Sequence, residues 1–225
     1  MKLKSSNLLY IVWMAIFTLI PMALVFVFAF TDKYWNFTLE NIVNVCKYSN
    51  IFLRSIGLGA LSTVICLLLG YPLAYIISKT SVKNQGIVIM LIMLPMWMNF
   101  LLRTYAWMTI LENNGILNKL FALCGIAPVS FINTSRAVVL GMVYNFLPYM
   151  ILPIFSVLTK LDNSLVEAAQ DLGSNKFEVM KKVIIPLSKP GILSGITMVF
   201  VPCVSTFYIT QKLGGGQVVL IGDVI

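Results

Sequence analysis

The stretch AVVLGMVYNFLPYMILPIFSVLT, Ala137 to Thr159, holds no Asp, Glu, Lys or Arg and is bounded by Arg136 and Lys160. A helix needs roughly 20 apolar residues to cross the hydrocarbon core of a bilayer, and this stretch is that long. Four more charge-free stretches lie at 5–31, 55–78, 84–102 and 190–211. The pattern predicts an all-α polytopic transmembrane helical bundle with five spans, at about 8–30, 51–78, 86–111, 136–159 and 190–210. Composition agrees. Charged residues make up 11% of the 225 and hydrophobic ones 59%, whereas a soluble domain carries about 25% charged residues. So short a chain has too few polar residues to cover five buried helices in water.

The net charge of +8 does not point to nucleic acid, because the basic residues flank the apolar spans and so report orientation. Lys2, Lys4, Lys79, Lys83, Lys160, Lys176, Lys181, Lys182 and Lys189 fall on one side of the predicted bilayer. Lys33, Lys47, Arg54, Arg103, Lys119, Arg136 and Lys212 fall on the other. The short segment 79–83 is basic and has no acidic residue, which assigns the N-terminus and the 160–189 loop to the cytoplasm. On the opposite side, Tyr34 and Trp35 read as interfacial anchors within 31–50, and 112–135 reads as a short helix with loops.

Every predicted span contains proline: Pro21, Pro72, Pro95, Pro148 with Pro153, and Pro202. Membrane helices tolerate this because neighbouring groups satisfy the freed backbone. The chain has no histidine, and Cys46, Cys66, Cys124 and Cys203 are scattered, so neither a metal site nor a disulfide framework is expected. The apolar run at 8–30 is too long for a signal peptide and reads as an uncleaved first helix. Leu213-Gly-Gly-Gly-Gln217 lacks the Lys-Ser/Thr end of a phosphate loop and reads as a flexible external loop.

Two functional classes are disfavoured at once. A secondary transporter or channel needs intramembrane ionisable groups for coupling, and these spans hold almost none. A membrane-embedded enzyme needs a catalytic constellation, and the spans contain no histidine and no pair of carboxylates.

The informative polar segment is LDNSLVEAAQDLGSNKFEVMKKVIIP, Leu161 to Pro186. Ser164 followed by Glu167 suggests a capping box and a helix start, and Gly173 a helix stop. Asn175 with Glu178 suggests a second cap, and Pro186 the end of a second short helix at about Val183. Two short cytoplasmic helices are expected over 163–186, with Leu165, Val166, Ala169, Leu172, Phe177 and Met180 on an apolar face.

This segment resembles the cytoplasmic motif of ABC importer permeases: Glu-Ala-Ala, three residues, Gly, nine residues, then Ile-x-Leu-Pro. Glu167, Ala168, Ala169, Gly173 and Pro186 match it, with Val183 and Ile185 as conservative departures. Phe100 to Trp107, Gly141 to Pro148, and Leu213 to Gln217 followed by Ile221-Gly222 are similar to the spermidine/putrescine branch. Related branches carry iron, thiosulfate or phosphonate. The resemblance implies a single permease domain of the type I importer (MetI-like) fold. It implies six spans, of which five are seen. It also implies an ATP-driven machine in the bacterial inner membrane, built with an ATPase subunit dimer, a second permease subunit and an external substrate-binding protein. The permease is then not an enzyme and binds no cofactor of its own, since ATP and magnesium belong to the ATPase. Glu167, Ala168, Ala169, Gly173, Ile185 and Pro186 are implied to couple to that ATPase.

Polyamines are cations, yet the spans hold no acidic cage. Aromatic faces attract cations, so the candidate path comprises Trp97, Tyr105, Trp107, Tyr144, Tyr149, Phe207 and Tyr208, with Glu112 at the outer mouth. Arg103, beside an apolar run, reads as a gate or as half of a structural pair.

Overall fold

The computed structural model describes residues 5–32 and 35–224. Lys2, Lys4, Lys33 and Tyr34 lie outside the described residues, as does the side chain of Cys46. The described chain is helical apart from turns and one isolated β-bridge between Thr31 and Phe37. Four helices are long and apolar enough to cross a membrane, and a bent pair makes a fifth candidate. By internal contacts the chain forms two units, 1–50 and 51–225.

In the first unit, α1 (Ser5–Ala29) carries Pro21 in its interior. The chain then turns back through the Thr31–Phe37 bridge into the short α2 (Glu40–Lys47). Asn41 holds the turn by donating from Nδ2 to the carbonyls of Phe28 and Thr31, at 3.1 and 3.2 Å. The rings of Phe30 and Phe37 stack 6.0 Å apart beside it.

The second unit contains α3 (Ser49–Ser78), α4 (Val82–Trp97), α5 (Phe100–Leu111), α6 (Ile116–Leu123), α7 (Ser135–Leu158), α8 (Asn163–Asp171), α9 (Lys176–Val179), α10 (Ile185–Ser205) and α11 (Tyr208–Leu213). Its core lies where α7 and α10 cross α3. Lipid tails give helices no hydrophobic reason to associate, so close backbone packing has to do it. A Cβ on Gly191 would stand 2.9 Å from the Pro153 carbonyl and 3.1 Å from Ile154 Cα, and one on Gly195 would stand 2.7 Å from Met150 Sδ. At Gly195 the nearest neighbour is the flexible Met150 side chain, but at Gly191 the obstacle is backbone, so only glycine there admits that approach of α10 to α7. Around it Met142, Met150, Ile151, Ile154, Val199 and Cys203 are fully buried. Cys66 is buried as well, whereas Cys124 is exposed.

Several expectations are corrected. The span expected over 86–111 is not one continuous helix: Val82–Trp97 and Phe100–Leu123 meet at a bend of 89°. Met98 is extended, and Asn99 starts a new helix by accepting from the Leu101 amide at 2.8 Å. The span expected to reach 210 ends at Ser205. Thr206 is extended and interrupts the backbone ladder before α11.

The glycine run is a packed turn. Leu213, Val218 and Leu220 are buried, Gly215 and Gly216 have φ of +54° and +77°, and Asn133 donates its amide to the Leu213 carbonyl at 2.8 Å. The apolar residues on either side of the glycines bury themselves, which fixes the loop between them.

Pro186 does not stop the second cytoplasmic helix. The chain stays helical from Lys176 to Ser205 by widening into a π-turn at Met180–Ile184, where the Ile185 amide donates to the Met180 carbonyl. A proline needs room for its ring and offers no N–H. The wide turn just before it, with Pro186 in the first turn of α10, meets both conditions.

Candidate functional site

The segment 161–186 forms one end of the second unit. The same end carries the turn after α3, since the Lys79 ammonium donates to Asn163 Oδ1 at 3.0 Å. Two side-chain caps shape the segment. Asp162, rather than Ser164, caps α8: its carboxylate accepts from the Ser164 amide at 2.9 Å. That bond holds the Asp162 carboxyl below its usual range. An acceptor two residues before the first free amides reaches them directly, so Glu167 is left free of a capping role.

After α8, Gly173 takes φ +84°, and the Ser174 amide bonds the Ala169 carbonyl at 3.1 Å while the Gly173 amide bonds Gln170 at 2.8 Å. This pair of bonds is a Schellman motif, which glycine makes without strain. Asn175 and Glu178 then form a full capping box, each side chain accepting from the other's backbone amide, at 2.9 and 3.2 Å. Lys182 donates to Glu178 at 3.0 Å, and this pairing, with the Asn175 amide, holds the Glu178 carboxyl below its usual range.

The apolar residues do not share one face. Val166, Ala169 and Met180 pack inward against the core that includes Leu158, Val179 and Ile184. Leu165, Leu172 and Phe177 point outward, with Leu172 88% and Phe177 74% exposed. Glu167 and Ala168 are exposed beside them. The outward set is a small apolar surface with one carboxylate, carried on helices whose opposite side is fixed to the bundle. Ile185 and Pro186 are also exposed, at the start of α10.

The opposite end gathers some of the aromatic candidates. Tyr105 on α5 meets Tyr208 on α11 edge-on, with ring centroids 6.4 Å apart, and Phe100 lies 5.8 Å from Tyr208. The Lys212 ammonium sits over both tyrosines, at 5.0 Å from Tyr105 and 5.9 Å from Tyr208. Trp107 and Tyr144 form a separate edge-on pair at 5.2 Å, and Tyr149 sits by Phe146 at 6.3 Å. Trp97 and Phe207 are exposed and belong to neither cluster. Glu112 is exposed and ends α5, its carbonyl accepting from the Gly115 amide at 2.8 Å.

Arg103 is 9% exposed, its guanidinium 5.7 Å from the Phe100 ring. Among the described residues it pairs with no carboxylate, and its Nε has no hydrogen-bond acceptor. Phe100 and Lys212 were not candidates from sequence. The spacing of Tyr208 and Lys212, four apart on one helical face, could have linked them had a helix been expected over 208–213.

Residues 84–225 match the family described as binding-protein-dependent transport system inner membrane component. The chain belongs to this family. It is a multi-pass inner-membrane permease subunit. The permease is 41% identical over 223 residues to the spermidine/putrescine transport system permease protein PotB of Haemophilus influenzae, covering 95% of this chain and 78% of that protein. It is 34% identical to PotB of Escherichia coli, covering 95% and 81%. In fold it is similar to a chain of a bacterial ABC transporter that imports the acidic polysaccharide alginate. That likeness has a TM-score of 0.69 at 17% identity, covering 96% of the permease and 76% of the other chain.

Proposed function

We propose that this permease moves polyamines, spermidine or putrescine, inward across the bacterial inner membrane, driven by a partner ATPase. The observation that carries the coupling half of the reading is the outward face of Leu165, Glu167, Ala168, Leu172 and Phe177. It stands on helices whose inner side is packed into the core and whose chain runs through the π-turn into α10. A push on that face moves a span directly. Its small Ala168 lets a partner backbone approach, its leucines and phenylalanine fill a groove, and Glu167 supplies a polar anchor. Ala169 packs the face against the bundle, and Gly173 sets the angle between α8 and α9. Ile185 and Pro186 carry the motion into α10.

The polyamine half rests on the 41% identity to a PotB protein over 95% of the chain. In this reading the permease works with an ATPase dimer, a second permease subunit and an external binding protein. ATP and magnesium bind to the ATPase, and the permease itself catalyses no reaction. The N-terminus and the 163–186 end face the cytoplasm, the side to which the basic loops point.

The test is spermidine uptake and ATP hydrolysis by the reconstituted complex. Glu167→Lys should assemble normally, yet lose most of the ATPase stimulation that loaded binding protein produces. Stimulation and uptake equal to wild type would overturn the coupling role.

A further inference from the structure

We propose that the Lys212 ammonium is a tethered stand-in for the transported cation, resting on the Tyr105–Tyr208 pair until a substrate ammonium displaces it. The inference rests on the polyamine reading above. Two tyrosine rings from different helices meet edge-on at 6.4 Å, and one ammonium lies within 6 Å of both centroids. Aromatic faces in this arrangement recognise ammonium ligands.

Among the described residues the only ion pair is Lys182 with Glu178, so no carboxylate holds Lys212 where it lies, and its neighbours there are the two tyrosines. Its four-carbon stem is flexible and can withdraw. The anchor is firm by contrast: Ile209, Thr210 and Leu213 of the same helix are buried, while Tyr105 is 42% exposed. The platform is therefore fixed at the base, open at the rings, and already holds a primary ammonium. It stands at the end of the unit away from Glu167, where a solute delivered from outside would arrive.

An incoming amine must take the same ring faces and is repelled by the resident charge. A solute with several ammonium groups, delivered at high local concentration, can win that contest. A lone monovalent cation is at a disadvantage.

The experiment measures equilibrium spermidine binding to the purified membrane complex without its binding protein, alongside spermidine uptake by the full wild-type complex in proteoliposomes. Lys212→Met frees the rings and should tighten binding about tenfold, the scale of one cation–π contact. Lys212→Arg keeps the cation and should bind as wild type. Tyr105→Leu combined with Lys212→Met should lose the gain. Unchanged or weaker binding in the Met variant, or equal tightening in the Arg variant, would overturn the stand-in. If the wild-type complex takes up no spermidine, the polyamine reading fails and the inference falls with it. If the wild type transports and only the Lys212 pattern is absent, the inference alone fails.

Discussion

The two ends of the second unit are held together differently. At 161–184 the bonds that shape the helices are local, Asp162 to Ser164, Gly173 and Ser174 back to α8, and Asn175 to Glu178, and one long-range bond, Lys79 to Asn163, ties the end to the turn after α3. At 206–224 they are long-range. The Ile221 amide donates to Ser55 at 2.8 Å, Arg54 reaches the Gln217 carbonyl at 3.3 Å, and Thr210 donates to Asp223 at 2.8 Å. Locally satisfied helices keep their shape while presenting side chains to another protein. A cross-linked end cannot change without moving α3, α7 and α11 together. The first arrangement suits a docking element, and the second suits the wall of a mouth.

Both ends depend on the close crossing of α7 and α10, so the largest effect is expected there. Gly191→Leu would drive a side chain into the Pro153 carbonyl and Ile154 Cα. These are backbone atoms that cannot swing aside, and overpacking costs about 1–3 kcal/mol even where side chains can adjust. Size-exclusion of the solubilised complex should show loss of assembly. An assembled and active variant would mean that the crossing is looser than the structure has it.

A smaller and one-sided effect is expected at Gly173. A Cβ there meets open space, so only the φ of +84° opposes substitution. The left-handed conformation costs about 1–2 kcal/mol for an ordinary L-residue, and asparagine bears it better. Gly173→Val should cut ATP-coupled uptake about tenfold while leaving assembly and the Tyr105–Tyr208 end intact, the fold-change following from that cost. Gly173→Asn should retain most of it. Equal loss in both variants would shift the cause from backbone angle to lost space on the partner's side.

How much of this was legible in the sequence depended on the physics each residue reports. Charge-free runs mark α1, α3, α7 and α10, because burying charge in lipid is costly wherever it occurs. Asn175, Glu178 and Gly173 were legible because caps are local. The break at Met98–Asn99 was not, since Asn99 is uncharged and hydropathy does not record a helix start inside an apolar run. Pro186 was misread as a terminator because the π-turn that absorbs it has no signature in the local sequence, and it lies where Val179 and Ile184 are buried. Asp162 displaced Ser164 as the cap because either spacing satisfies a helix start. The tyrosines were named from their chemistry, but their pairing across α5 and α11, and the lysine between them, required the third dimension.

The smallest expected effect separates the ends by pH. Glu178 is held below its usual range by Lys182 and the Asn175 amide, and Asp162 by Ser164. A carboxylate with a depressed folded pKa contributes stability that is complete above its ordinary value, 4.5 for Glu and 3.8 for Asp. That contribution is lost as pH falls through the folded value. Both groups are solvent-exposed, so the change is modest and salt reduces it. Hydrogen exchange at the Ser164, Asn175 and Glu178 amides should be slow and flat, after correction for intrinsic rates, from neutral pH down to about 5, and should lose protection only once pH has fallen below the ordinary value of the carboxylate concerned. Glu178→Gln keeps an acceptor but cannot titrate, and it should remove the acid-induced loss around α9 while leaving that at Ser164 in place. Loss of protection at all three amides in that variant would show that acid opens the whole 161–184 end as one unit, and the two caps would then have to be treated as a single cooperative element.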